Sequence, residues 1–129
     1  MNKIIQIKVF NDVLDQLFEY LESEFPYFRS DIILTKSMIV TIRNSNPRLV
    51  VEQFLLYIGP YEKQLKECDE DFFLNFENNI TLDQENMMFG LKLKSMWLSN
   101  LGQDAERTLR QKATVFHMFL KLMKIGKSI

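Results

Sequence analysis

The sequence predicts an all-α domain, a compact bundle of five or six helices, and three observations carry that prediction. Apolar residues recur at spacings of three and four along most of the chain, the stripe of amphipathic helices. Residues that start and stop helices fall between those stripes at short intervals. No linker is long enough to separate domains, so the 129 residues form one unit over 1–129.

The elements follow in chain order. Residues 3–9, KIIQIKV, alternate partially, which leaves a short N-terminal edge strand and a lead-in to the first helix equally open. From Asn11 the pattern is helical, with Val13, Leu14, Leu17, Phe18, Leu21 and Phe25 on one face. Asn11 is the expected N-cap, Asp12 suits the first turn, and Pro26 ends the segment. Ser30-Asp31 opens a second helix through Arg43, although its β-branched residues also suit a strand pair.

Asn46-Pro47 opens a third helix, asparagine as cap and proline at the first helical position. It carries Val50, Val51, Phe54, Leu55 and Ile58 and stops at Gly59, for which a left-handed C-terminal cap is expected. Pro60 then opens a short helix to about Glu67. Phe72, Phe73, Leu74 and Phe76 form an apolar plug, and Asn78-Asn79 marks a loop. Thr81 and Gln84 have the capping-box spacing before a helix with Met87, Met88, Leu91, Trp97, Leu98 and Leu101. The last helix runs from about Asp104 to Ile125, with Ala105, Leu109, Ala113, Phe116, Phe119, Leu120 and Met123 as its expected core stripe.

The stretch Ile58-Gly59-Pro60-Tyr61-Glu62-Lys63-Gln64-Leu65, followed by Asp69-Glu70-Asp71-Phe72-Phe73-Leu74, resembles a pattern in small proteins of large DNA viruses of the Marseillevirus-like kind. In those proteins a proline-tyrosine turn precedes an acidic stretch and two phenylalanines. The resemblance covers residues 58–74 and brings no catalytic residues with it. It implies a viral origin, a place in the host cytoplasm or viral factory, and packaging in the virion.

Composition bounds the function. Hydrophobic residues at 47% and charged residues at 26% exclude a disordered chain. A single cysteine, Cys68, rules out an internal disulfide and suits a reducing, intracellular compartment. The N-terminal apolar residues are broken by Gln6 and Lys8, which gives no signal-peptide core. No stretch reaches the roughly 18 apolar residues of a membrane span, so a soluble protein without a membrane partner is expected.

The net charge of -1 conceals a segregation. Glu62 to Glu85 holds eight acidic residues against two lysines, and Lys92 to Ile129 holds eight basic residues against two acidic ones. Such segregation either steers partners and organises self-association or cancels within the folded chain.

Catalytic and metal chemistry find little to stand on. Cys68 lies among Glu67, Asp69, Glu70 and Asp71, whose charge raises a thiol pKa, and His117 lies between Phe116 and Met118. One Cys and one His cannot supply four zinc ligands. Counting from Asp69, the sixth and twelfth positions are Leu74 and Ile80, so the EF-hand pattern is absent. Four dispersed glycines make no phosphate cradle, and no cofactor is expected.

Two surfaces remain. Arg107, Arg110 and Lys112 near the start of the last helix, with Lys121, Lys124 and Lys127 near its end, suit phosphates, although the pI near 5.9 opposes a dedicated nucleic-acid binder. Phe72, Phe73, Phe76, Met87 and Met88 hold more apolar bulk than a small core readily buries, which suits a dimer seam or a protein partner. The expectation is a non-enzymatic helical interaction or scaffold protein that self-associates, with a nucleic-acid-binding accessory factor as the alternative.

Overall fold

Helix α1, Lys3–Glu24, starts at the first residues of the chain and forms the spine of the domain. A computed structural model describes residues 2–68 and 105–129, and every element among them is helical. The segment that suits either strand or lead-in is the first two turns of α1. Asn2 caps it, its side-chain oxygen accepting from the Ile4 N–H at 2.7 Å. Asn11 is therefore not an N-cap but a residue of the helix interior, 5% exposed. A cap further upstream extends the helix past the local start signal, and Phe10 on the same face is fully buried.

Pro26 acts as expected. α1 ends at Glu24, and Phe25 takes φ -127 and ψ 64 while its N–H still reaches the Leu21 carbonyl at 2.8 Å. A 3₁₀ turn, Pro26–Phe28, leads into α2, Arg29–Ser45, so the β-branched run is helix rather than a strand pair. One residue, Asn46, separates α2 from α3, Pro47–Ile58. The proline that follows holds Asn46 extended, φ -158 and ψ 95, and this turns the chain. Asn46 makes no side-chain capping bond; its carbonyl accepts from the Leu49 N–H at 3.1 Å.

The expected left-handed cap is not at Gly59. Gly59 is right-handed, φ -49 and ψ -43, and the chain runs on through a 3₁₀ turn, Gly59–Tyr61, into α4, Glu62–Lys66. Pro60 lacks an N–H, but in the first turn of a new helical segment none is needed, so the two elements fuse end to end. The left-handed residue comes after α4 instead. Cys68 has φ 51, with its N–H on the Leu65 carbonyl at 3.2 Å.

The last described helix, α5, spans Ala105–Lys127. Helix α1 packs against α2, α3 and α5; α3 touches α2 and α5; α4 lies on α5. The core joins Leu14, Leu17 and Phe18 of α1 with Ile32 and Ile39 of α2, Phe54 and Ile58 of α3, and Phe119 and Leu122 of α5. Phe54 is its centre. It meets Phe10 edge to face at 5.4 Å between centroids and stacks on Phe119 at 6.2 Å.

The core stripe of α5 is rotated from the expected one. Leu109 is 70% exposed, Ala113 is exposed and Leu120 is half-buried, whereas Val115 and Leu122 are buried with Phe116, Phe119 and Met123. Two helical rows share Phe116 and Met123, and the row turned inward carries the greater apolar bulk. It also ends on Gly126, where a Cβ would lie 3.1 Å from Leu55 Cδ2 and 3.5 Å from Phe10 Cε2. The missing side chain lets α5 approach α1 and α3 closely.

Four helices of twelve residues or more and the single turn α4 are thus seen among the described residues. The apolar plug Phe72, Phe73 and Phe76, and the capped helix bearing Met87 and Met88, lie outside them.

Candidate functional site

Asn11 is one of three buried polar residues among the described ones, with Thr35 and Gln111, and it anchors a polar cluster at the α1–α2 contact. Asn11 donates from Nδ2 to the Ile7 carbonyl at 2.9 Å, which ties its amide to its own helix. Its Oδ1 accepts from Arg43 Nε at 2.9 Å. The two terminal nitrogens of Arg43 donate to the two carboxylate oxygens of Asp15 at 3.0 and 2.9 Å, a planar fork on a planar acceptor. Arg43 lies between the helices, its side chain only 21% exposed. This cluster sets the register of α2 on α1. Its sequence signal is the spacing Asn11-x-x-x-Asp15 on an otherwise apolar face, which equally suits a helix start.

The basic residues of α5 divide into three groups. Its two ends are neutralised by acids from elsewhere in the chain: Arg107 meets Glu24 at 2.9 Å, and Lys127 holds both Glu62 oxygens at 3.1 and 2.9 Å. Glu62 also receives Lys66 at 3.3 Å. The Lys127 ammonium, and then that of Lys66, keep the Glu62 carboxyl below the ordinary carboxylate range. Arg110, Lys121 and Lys124 lie exposed along the outward face, together with His117. Lys112 is half-buried and, two residues from Arg110, points to another side of the helix. The six basic positions therefore do not form one surface. Only Arg110, Lys121 and Lys124 share a stripe, and Glu106 is the one acid within the span of α5.

The candidate seam residues Phe72, Phe73, Phe76, Met87 and Met88 lie outside the described residues. Cys68 is exposed with a free thiol at the end of α4, and His117 is exposed on α5. Among the described residues no group of three or more His, Cys, Asp or Glu side chains is placed to hold a metal ion. No described helix is long and apolar enough to cross a membrane.

A second surface is one that sequence reasoning missed. α2 lies at the edge of the bundle, packed on α1 and α3, and of its seven large apolar residues only Ile32 and Ile39 are fully buried. Ile33, Leu34 and Val40 face outward; Leu34 is 63% exposed. Ser37 and Thr41 lie between them, and both hydroxyls donate within the helix, to the Ile33 carbonyl at 2.9 Å and the Ser37 carbonyl at 3.0 Å. From Ile33 to Asn44 the exposed residues of α2 carry no charge, and the half-buried Lys36 borders the face one turn from Ile33 and Val40. The sequence signal is an apolar content too high for one helix face, which the strand alternative absorbs.

Compared with protein-family models, curated proteins and solved structures, the chain matches none of them.

Proposed function

We propose that this chain is a non-enzymatic helical interaction protein that self-associates as a dimer. The observation that supports the reading best is the outward face of α2. An exposed helix face normally carries Lys, Glu or Asp; this one presents Ile33, Leu34 and Val40 with two hydroxyls already bonded to their own backbone. Covering such a face costs no desolvated charge and no broken hydroxyl bond, so most of the buried apolar area is stabilising. A two-fold contact sets a surface against its own copy, and a face whose exposed residues are uncharged brings few like charges together there. The apolar surplus of Phe72, Phe73, Phe76, Met87 and Met88 supplies a second motive from the sequence.

Light scattering coupled to size exclusion tests this reading. A dimer is expected at micromolar concentration, and Leu34→Glu is expected to give a monomer with an unchanged melting temperature. A wild-type protein that stays strictly monomeric at high micromolar concentration refutes the proposal.

A second reading is favoured by the α5 stripe of Arg110, Lys121 and Lys124, which has no acid among its neighbours from Arg107 onward. It is a nucleic-acid-binding accessory factor that lays this stripe along a phosphate backbone. Binding would weaken steeply with salt and again in Arg110→Ala/Lys124→Ala. Failure to retain DNA or RNA at low salt removes it.

A further inference from the structure

The exposed face of α2 repeats every seven residues. Ser30, Ser37 and Asn44 run down its centre, all exposed, with Ile33 and Leu34 and then Val40 and Thr41 exposed between them. The buried residues Ile32, Thr35 and Ile39 lie on the opposite side of the helix. A seven-residue period drifts only about 20° per repeat on a straight helix, so the strip stays in line over the roughly 21 Å from Ser30 to Asn44. That period selects the shape of what covers it: a second helix running nearly along α2, with its side chains set between these. A second copy of α2 carries the same period. Ser37 at the middle is small enough to let two backbones approach, and its hydroxyl, bonded to the Ile33 carbonyl at 2.9 Å, needs no partner across the seam.

The two edges of the strip differ in charge. At about 100° per residue, Arg29 and Lys36 flank it on one side and Asp31 on the other. None of the three is in an ion pair among the described residues. Two copies of α2 can meet about a two-fold axis in either direction. Antiparallel copies set like edge against like edge and collect Arg29 and Lys36 of both on one side. Parallel copies set unlike edges together, Arg29 across from Asp31, and Leu34 then packs on Ile33 and Val40 on Thr41. They also set Asn44 against Asn44, whose amides carry both donors and acceptors. A lone asparagine in the central row is a device that fixes the register of parallel helix pairs.

We infer that two copies of this chain join through a parallel α2–α2 seam in which Ser30, Ser37 and Asn44 each face their own counterpart. The inference rests on the self-association proposed above and adds its direction and register.

The test is disulfide trapping in a Cys68→Ser background, with light scattering on the same samples. Ser37→Cys and Asn44→Cys are each expected to give a linked dimer on mild oxidation, while Lys121→Cys, on the outward face of α5, stays unlinked. A disulfide needs Cα atoms within about 7 Å, whereas an antiparallel seam centred on Ser37 holds the two copies of residue 44 about 21 Å apart. Asn44→Lys sets like charges together only in the parallel register and is expected to raise the dimer Kd about tenfold or more. A dimer in which Asn44→Cys stays unlinked, or in which Ser30→Cys links only when mixed with Asn44→Cys, overturns the parallel register and leaves self-association standing. Linking at Lys121→Cys as strong as at Ser37→Cys marks random collision and overturns the seam. A strictly monomeric wild type overturns both.

Discussion

Arg43 and Asp15, 28 residues apart, are joined through both terminal guanidinium nitrogens and both carboxylate oxygens, at 3.0 and 2.9 Å. The pair lies at the α1–α2 contact, and Asn11 holds the remaining edge of the guanidinium through Nε. Removing one partner from such a pair leaves a half-buried charge without its counterion, which costs more than the pair contributes when intact. Asp15→Ala is expected to destabilise by about 1–3 kcal/mol, and Asn11→Ala by about 1–2 kcal/mol. Because the two share Arg43, a double-mutant cycle in urea should give non-additive effects. Additive effects would show that the two contacts act independently.

Phe54 bridges Phe10 and Phe119, and all three are fully buried. Phe54→Ala removes the ring on which α1 and α5 both pack. The expected loss is about 3–5 kcal/mol in chemical denaturation, among the largest for any single core residue. Phe54→Leu, which keeps most of the volume, should cost about half as much or less. Equal losses would mean that ring contacts rather than volume dominate.

The left-handed residue that the local sequence suggests at Gly59 is found at Cys68 instead. Gly59 is right-handed, and a Cβ there meets nothing within 4 Å. Gly59→Ala is therefore expected to be neutral or to stabilise by up to about 1 kcal/mol, through the unfolded chain. Cys68, at φ 51, bears a Cβ in the region that favours glycine, so Cys68→Gly should stabilise by up to about 1 kcal/mol. Thermal melts of the two variants decide the matter. A clear loss in Gly59→Ala would place the left-handed cap back at Gly59.

Glu62 links the domain's stability to pH. Its folded pKa is lowered by Lys127 and then Lys66, so its contribution is complete above the unfolded carboxylate pKa of about 4.3. It is lost as pH falls through the lowered folded value. The wild type is expected to melt above Glu62→Gln at neutral pH, and the gap should close in acid. A gap that persists unchanged at about pH 3 would show that Glu62 acts through packing rather than charge. High salt should narrow the neutral gap, since the group is close to solvent.

Some of the fold lay in the sequence because its causes are local. Pro26 and Pro47 restrict the residue before them by steric contact alone, and each marks a helix boundary in the structure. The stripe from Val13 to Phe25 has large apolar residues at every inward position and polar ones elsewhere, so all six residues are buried as the spacing predicts. The tertiary structure decided the rest, wherever one local pattern served two arrangements. Asn11 fits an N-cap and a buried hydrogen-bond hub equally well, and Arg43, 32 residues away, selects the second. α5 carries two apolar rows, and the approach of Phe10 and Leu55 to Gly126 turns the bulkier one inward, leaving Leu109 outside. The charges of α5 show the same division. Their excess is plain in the sequence, but only the fold brings Glu24 to Arg107 and Glu62 to Lys127 while leaving Arg110, Lys121 and Lys124 facing outward. Local sterics act over one or two bonds and are legible residue by residue, whereas the choice among faces is made by whatever the chain brings opposite.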